Sequence, residues 1–398
     1  MKKAVIIAIG VALLVGALIP LLTSADTSAD KEKLAQRLVV ECAKVKKGDI
    51  VHLYGGTKDI ELLENIAVYV RKQGAFPLLT IDTERLTRRI FDDVPAQFDS
   101  QPPLLDLKLA EIVDVEIGIA YGEDMQLLAH VPAERLTAVA EAYAPVGETI
   151  LARNVRQVFL GNDMNPTIER ANIMGVTVDQ LSEIYWSGVM VEPSVLSVHT
   201  NRVKSAMEKG KEVRITNSNG TDLQFRIDGR PVFATKGQIT EEDIQEGGAA
   251  CQVWLPAGEV FLTPVAGTAT GKVVVDRHIF QGKAIENLVL TFDNGRLTGM
   301  TANSGLKPLE ALYNAAGKGK DMFAFVDVGI NPNVQLLPGT DMYAWMASGM
   351  VTVGFGGNTW AGGENKCPFL IATFLPGSTL EIDGEAIVKK GVLMASAD

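Results

Sequence analysis

Few side chains in this sequence are spaced to do chemistry. The four histidines, His52, His130, His199 and His278, are scattered, and none follows residue 278. A serine or cysteine nucleophile needs a base held beside it, and neither a Gly-x-Ser-x-Gly elbow nor a Cys–His arrangement is readable. The three cysteines, Cys42, Cys251 and Cys367, form no Cys-x-x-Cys pair and no disulfide framework. They read as small buried apolar residues, with at most one bridge among them. Leu53-Tyr54-Gly55-Gly56-Thr57 runs from a strand into a helix, where a phosphate loop would sit. It lacks the third glycine of a dinucleotide fingerprint and the lysine of a phosphate loop, so it reads as a plain strand-to-helix turn. Asp276-Arg277-His278 reads as an exposed strand end with an Arg–carboxylate neighbourhood. His52 on an apolar strand and His199 on a helix read as structural residues.

The elements that must position these groups alternate up to about residue 192. Leu34, Leu38, Val39, Cys42 and Val45 recur at helical spacing within 30–45, and 50–54 is a short strand. Helices are expected over 60–73, closed by Gly74, and over 104–112, 133–143 and 177–186. Strands are expected over 76–81, 113–120 and 155–160. Such short strand–helix units imply a mostly parallel sheet with helices on both faces. After the helix expected over 196–210, β structure takes over. Ser218-Asn219-Gly220-Thr221 and Asp293-Asn294-Gly295 mark hairpins, and late strands fall at 322–328, 349–355 and 369–374. The fold class is therefore α/β, with an N-terminal domain over 30–192 and a C-terminal mixed α/β domain, rich in antiparallel strands, over 193–398.

With 37 basic against 48 acidic residues the 398-residue chain carries a net charge of −11, and no Lys/Arg run lies beyond its start. Nucleic acid is excluded as a partner, because phosphate binding needs a clustered positive field. Lys2-Lys3, the uncharged run 4–22, and Ser24-Ala25 form an export signal. Cleavage after Ala25 gives a soluble periplasmic or extracellular protein. Retention of residues 4–22 gives a membrane anchor, the one membrane contact expected.

Five blocks carry a resemblance: Val45–Val51, Lys72–Pro77, Gly220–Leu223, Leu255-Pro256-Ala257-Gly258-Glu259-Val260-Phe261 and Gly329-Ile330-Asn331-Pro332. In this order they resemble the aminopeptidase T family of metal-dependent aminopeptidases. The resemblance implies a two-domain α/β protein, a homodimer, that hydrolyses the N-terminal residue of peptides with two divalent metals in its C-terminal domain. Such a centre demands carboxylates and histidines converging from several strand ends.

Carried over position by position, the resemblance places one metal ligand at Glu259 and a second at Asp327, where the family has a longer glutamate. The family's remaining histidine, histidine and aspartate ligands fall at Thr352, Leu370 and Ala372, and its tyrosine at Thr359 or Trp360. Leucine and alanine have no lone pair, and a threonine hydroxyl is a poor ligand beside imidazole. Any cofactor is then a divalent cation held by Glu259 and Asp327; otherwise Glu259 is an exposed loop residue or a partner of Lys366 or Arg277. The expected function is an exported relative that has lost the two-metal site and binds a peptide or a protein. The alternative is an active aminopeptidase rebuilt around Glu259 and Asp327. Restoring histidine, histidine and aspartate at 352, 370 and 372 is expected to recreate metal binding, since the three should face one pocket.

Overall fold

The computed structural model describes residues 24–394. The expected export run 4–22 lies outside them. Among the described residues no helix is long and apolar enough to cross a membrane.

The helices form where apolar residues recur on one side. In Ile60–Lys72 the buried residues are Leu62, Leu63, Ile66 and Val70, and Gly74 ends the helix at φ 76°. In Val178–Val189 the Thr177 hydroxyl accepts from the Gln180 amide while the Gln180 side chain accepts from the Thr177 amide. The helix expected to stop at 143 instead runs Ala133–Ala152, through Pro145. Val146 and Ile150 bury against Ala110, Val113 and Val155, and this packing outweighs the hydrogen bond the proline removes.

The first strands are β1 (Ile50–Gly56), β2 (Phe76–Asp82), β3 (Val115–Ile119) and β4 (Arg156–Leu160). Then follow β5 (Glu212–Thr216), β6 (Asp222–Arg226), β7 (Val232–Thr235), β8 (Gln252–Leu255) and β9 (Glu259–Leu262). Next come β10 (Thr270–Phe280), β11 (Lys283–Asp293), β12 (Arg296–Thr301), β13 (Phe323–Gly329) and β14 (Val351–Gly356). The last are β15 (Leu370–Phe374), β16 (Thr379–Ile382), β17 (Glu385–Lys389) and β18 (Val392–Leu393).

They build the expected mixed α/β architecture. One sheet is parallel, in the order β2-β1-β3-β4-β8. Its fifth strand, β8, comes from beyond residue 192, so the chain crosses the expected domain boundary to complete the sheet. Val253 and Leu255 pack in the same core as Val158 and Leu160. The other two sheets are antiparallel, with the orders β12-β11-β10-β6-β5-β16-β17-β18 and β15-β14-β13-β9-β7. The second of these carries the candidate site. One of its faces packs Val260, Leu262, Val326, Val328, Val351 and Val353 into the core shared with the eight-stranded sheet. The opposite face holds Glu259, Asp327 and Thr352.

Candidate functional site

Strand register brings three of the five expected positions together. Asp327 on β13 lies opposite Thr352 on β14 and opposite Phe261 on β9. Glu259, two residues before Phe261, lies opposite Gly329 on β13 and Thr235 on β7. Alternation along each strand then puts Thr235, Glu259, Asp327 and Thr352 on one sheet face.

Glu259 is no exposed loop residue, contrary to that expectation: it is 2% exposed and opens β9. Nor do Lys366 and Arg277 reach it, since Lys366 pairs with Glu148 and Arg277 with Asp341. Its Oε1 accepts from Asn162 Nδ2 at 2.9 Å, and its Oε2 accepts from Thr235 Oγ1 at 2.9 Å. Asn162 follows β4 with φ 39°, and its amide also donates to the Pro256 carbonyl, which fixes its aim. Both partners are neutral. Burial therefore dominates and pushes the Glu259 carboxyl up to about 7.

Asp327 is equally buried, and its Oδ1 has no hydrogen-bond partner; neither has Thr352 Oγ1 across from it. Burial, then the charge of Glu259, raises its carboxyl well above the usual range, against the pull of the Val328 amide. Two carboxyls in one dry place cannot both ionise cheaply, so the pair holds protons more tightly than separate carboxyls in water would.

Leu370 and Ala372 on β15 share this face, because Leu370 lies opposite Gly356 and Ala372 opposite Gly354. They do not share the pocket. Phe325 lies opposite Gly354, and its ring presses onto that glycine so closely that a Cβ there would collide with it. Phe325 stacks on Trp345 with centroids 5.7 Å apart and meets Trp360 edge-on at 5.1 Å, while Trp345 meets Phe374 at 5.1 Å. These rings wall the carboxylates off. Trp360, one of the two places allotted to the family tyrosine, belongs to the wall and leaves its own Nε1 without a partner. A Gly354→Ala change should destabilise the protein by about 1–3 kcal/mol, since the methyl meets Phe325 and the Ile371 carbonyl. Urea unfolding measures this, and an unchanged midpoint would show that the wall yields.

Outside the wall lies a cleft of about 590 Å³ between β10 and β15, lined by Leu370, Ala372, Phe374, Trp345 and His278. Glu259, Asp327 and Thr352 are not among its lining residues. His278 is 8% exposed and lines this cleft, rather than standing at an exposed strand end as expected. Burial lowers its pKa to about 4, so it is neutral at pH 7. The expected Arg–carboxylate neighbourhood exists beside it, as Arg277 meets Asp341 at 3.1 Å and Glu286 at 3.9 Å. Asp163 and Arg170 complete the cleft, and Trp345 Nε1 donates to Asp163 Oδ2 at 3.1 Å. The three cysteines are buried and unbridged.

Residues 196–319 match the family described as thermophilic metalloprotease (M29). Aminopeptidase AmpS of Bacillus subtilis is 31% identical over 96 residues, a stretch covering 24% of this chain and 22% of that protein. The wild-type AmpT from Thermus thermophilus has the same fold: TM-score 0.70 over 92% of this chain and 99% of that one, at 18% identity. Over residues 196–319 the chain resembles the M29 family, and over most of its length it shares the AmpT fold. The 2,5-dihydroxypyridine dioxygenase of Pseudomonas putida also shares the fold, with TM-score 0.59 over 94% of this chain and 99% of that one, at 13% identity. The segment matched by the M29 family contains Glu259 and stops before Asp327, Thr352, Leu370 and Ala372. The match to AmpS spans about a fifth of that protein's length.

The donor set does not fit a two-metal centre. Among the described residues no three His, Cys, Asp or Glu side chains gather as a metal site. Both Glu259 oxygens are taken by neutral donors, and aromatic carbon occupies the space between Thr352 and the β15 positions. Sequence reading missed Asn162, Thr235, Phe325 and Trp345. Asn162 alone left a signal, since Gly161-Asn162-Asp163 follows a strand end.

Proposed function

We propose that this protein is an exported, non-catalytic relative of the M29 aminopeptidases that binds a peptide or protein segment in the cleft beside β15. One observation carries the reading: Leu370 and Ala372 open into a cleft, while Phe325 and Trp345 stand between that cleft and the only two carboxylates left at the ligand positions. The apolar strand faces and the ring-lined wall suit side chains, and the Arg170, Arg277 and Asp341 groups suit a peptide backbone and its termini. Export to the periplasm or the exterior, with or without retention of residues 4–22 as an anchor, belongs to the proposal. So does homodimerisation. The edge strand β2 exposes Phe76, Leu78, Leu79 and Ile81, and Leu104 and Leu105 are exposed as well, so this apolar surface suits a second copy.

The alternative, a rebuilt metal site in an active aminopeptidase, has its own support in the unpartnered oxygens of Asp327 and Thr352. Those two atoms and Glu259 would hold one hard cation, short of the pair that orients both water and substrate. Metal analysis of the purified protein, with hydrolysis of a mixed peptide panel with and without Co²⁺, Mn²⁺ or Zn²⁺, separates the readings. We expect no stoichiometric metal, no release of N-terminal residues, and saturable quenching of tryptophan fluorescence by peptides that Leu370→Arg abolishes. Metal-dependent release of N-terminal residues would overturn the proposal.

A further inference from the structure

The parallel sheet has a second site, unrelated to the metal positions. From β1 the chain passes to its neighbour β2 on one side and then returns to β3 on the other, so the connections diverge between β1 and β3. Where a parallel sheet reverses its winding, the loops leaving the two adjacent strand ends part, and a crevice opens at their carboxyl ends. Here that crevice measures about 340 Å³, within the roughly 300–1,000 Å³ typical of small-molecule sites. Gly56 at the end of β1, Asp82 at the end of β2 and Ile119 at the end of β3 all line it.

Its chemistry excludes a phosphate. The Gly56 amide, the group that would greet an anion at this turn, donates to the chain's own Asp59 carboxylate at 3.3 Å. Lys31 and Lys58, the two lysines at the rim, are bound to Glu61 and Glu123. Among the described residues Asp82 therefore faces the crevice with no ion pair, and Asp59 feels the charges of Lys31 and Lys58 but makes no ion pair with either; both carboxylates are partly buried among Leu62, Ile119 and Leu160.

Tyr185 is an independent sign of a ligand. Its ring is 3% exposed and lines the crevice, yet its hydroxyl bonds to no described group and is not among the polar atoms sealed from solvent. A nearly buried phenol lacking a protein partner, with its oxygen open to a cavity, leaves a hydrogen bond for whatever enters.

We propose that this crevice binds a small organic ammonium ion, a charged amine on an apolar or aromatic body. The ammonium group lies at Asp82 and Asp59 and donates to the Tyr185 hydroxyl. The apolar body lies on Leu62, Ile119 and Leu160, with the rings of Tyr121 and Trp186 at the mouth to take the cation's outer face. A free amine and the α-ammonium of a short peptide present the same group.

Calorimetric titration of the full chain tests this with 2-phenylethylamine, its neutral counterpart 2-phenylethanol, the anion 3-phenylpropionate, and the tripeptide Phe-Gly-Gly. We expect saturable binding of the amine and none of the alcohol or the anion. Asp82→Asn should weaken the amine about ten- to a hundredfold, and Tyr185→Phe about three- to tenfold. Among the described residues the Asp82 side chain has no hydrogen-bond or ion-pair partner, so its replacement leaves the unfolding midpoint in place and a loss of binding is not a loss of structure. Binding of the tripeptide with the same dependence on Asp82 assigns a peptide terminus as the source; its absence assigns a free amine. Equal affinity for 2-phenylethanol, or amine binding indifferent to Asp82→Asn, overturns the proposal.

Discussion

A variant carrying Thr352→His, Leu370→His, Ala372→Asp and Phe325→Ala together should bind Co²⁺ or Zn²⁺, whereas the three ligand replacements without Phe325→Ala should bind no more metal than the parent. The register supports half of the expectation drawn from sequence, since 352, 370 and 372 do share one face with Glu259 and Asp327. The other half fails on Phe325. Position 372 lies opposite Gly354 and position 352 precedes it by two, so new ligands at both would flank Gly354 from either side. The Phe325 ring lies on that glycine and fills the point where their donor atoms must meet. Removing a fully buried phenylalanine costs about 3–5 kcal/mol. The new imidazoles fill part of the cavity, and metal restores more. A metal bound only by the folded state, present at about a hundred times its dissociation constant, contributes roughly 2.7 kcal/mol. The fourfold variant should therefore melt higher with metal than with chelator, while parent and triple variant melt alike in both. Metal binding by the triple variant alone would show that the aromatic wall is no barrier.

The parts legible in the sequence were those whose pattern is local. In β5 the exposed Glu212 and Arg214 alternate with buried Val213 and Ile215, and the Asn294-Gly295 turn between β11 and β12 takes the left-handed conformations that its residues favour. The parallel sheet was legible as strand–helix units, but its last member was not. Strand β8 is four residues long and joins by pairing with β4, nearly a hundred positions earlier. Glu259 was visible only through the rare Pro-Ala-Gly-Glu-Val-Phe stretch, and its burial was not, because a glutamate after Gly258 reads as loop. Its burial depends on Asn162 and Thr235, brought from two other strand ends. Strand β13 is buried on both faces, so Phe-Ala-Phe-Val-Asp-Val shows no alternation to say which way Asp327 points. The wall was least legible of all. Phe325, Trp345, Trp360 and Phe374 meet only once β13, β14 and β15 are in register, and no spacing along the chain announces it.

Glu259→Gln should stabilise the protein, increasingly so as pH rises. A carboxyl lifted from 4.5 to about 7 by burial favours its protonated form in the folded chain. Stability from this group is fully present below about pH 4.5 and is lost as pH rises through about 7. By pH 8 the charged form costs the fold on the order of 3 kcal/mol relative to a permanently neutral side chain. Glutamine removes that cost and keeps the geometry. Its carbonyl oxygen accepts from Asn162 as before, and the Thr235 hydroxyl, which now donates to the carboxylate, turns to accept from the new amide. The Asp327 carboxyl also loses the neighbouring charge that helped to raise it. His278 acts in the opposite sense, since its pKa near 4 withdraws stability as pH falls through that value. It is common to parent and variant, so it cancels in their difference. Urea unfolding of both proteins in the presence of chelator, from pH 5 to pH 8, should give curves that nearly meet at the acid end and separate toward the alkaline end. A separation that stays constant across this range would mean that Glu259 is ionised throughout, held by a cation that survives the chelator, and the alternative metal reading would then be the better account of the site.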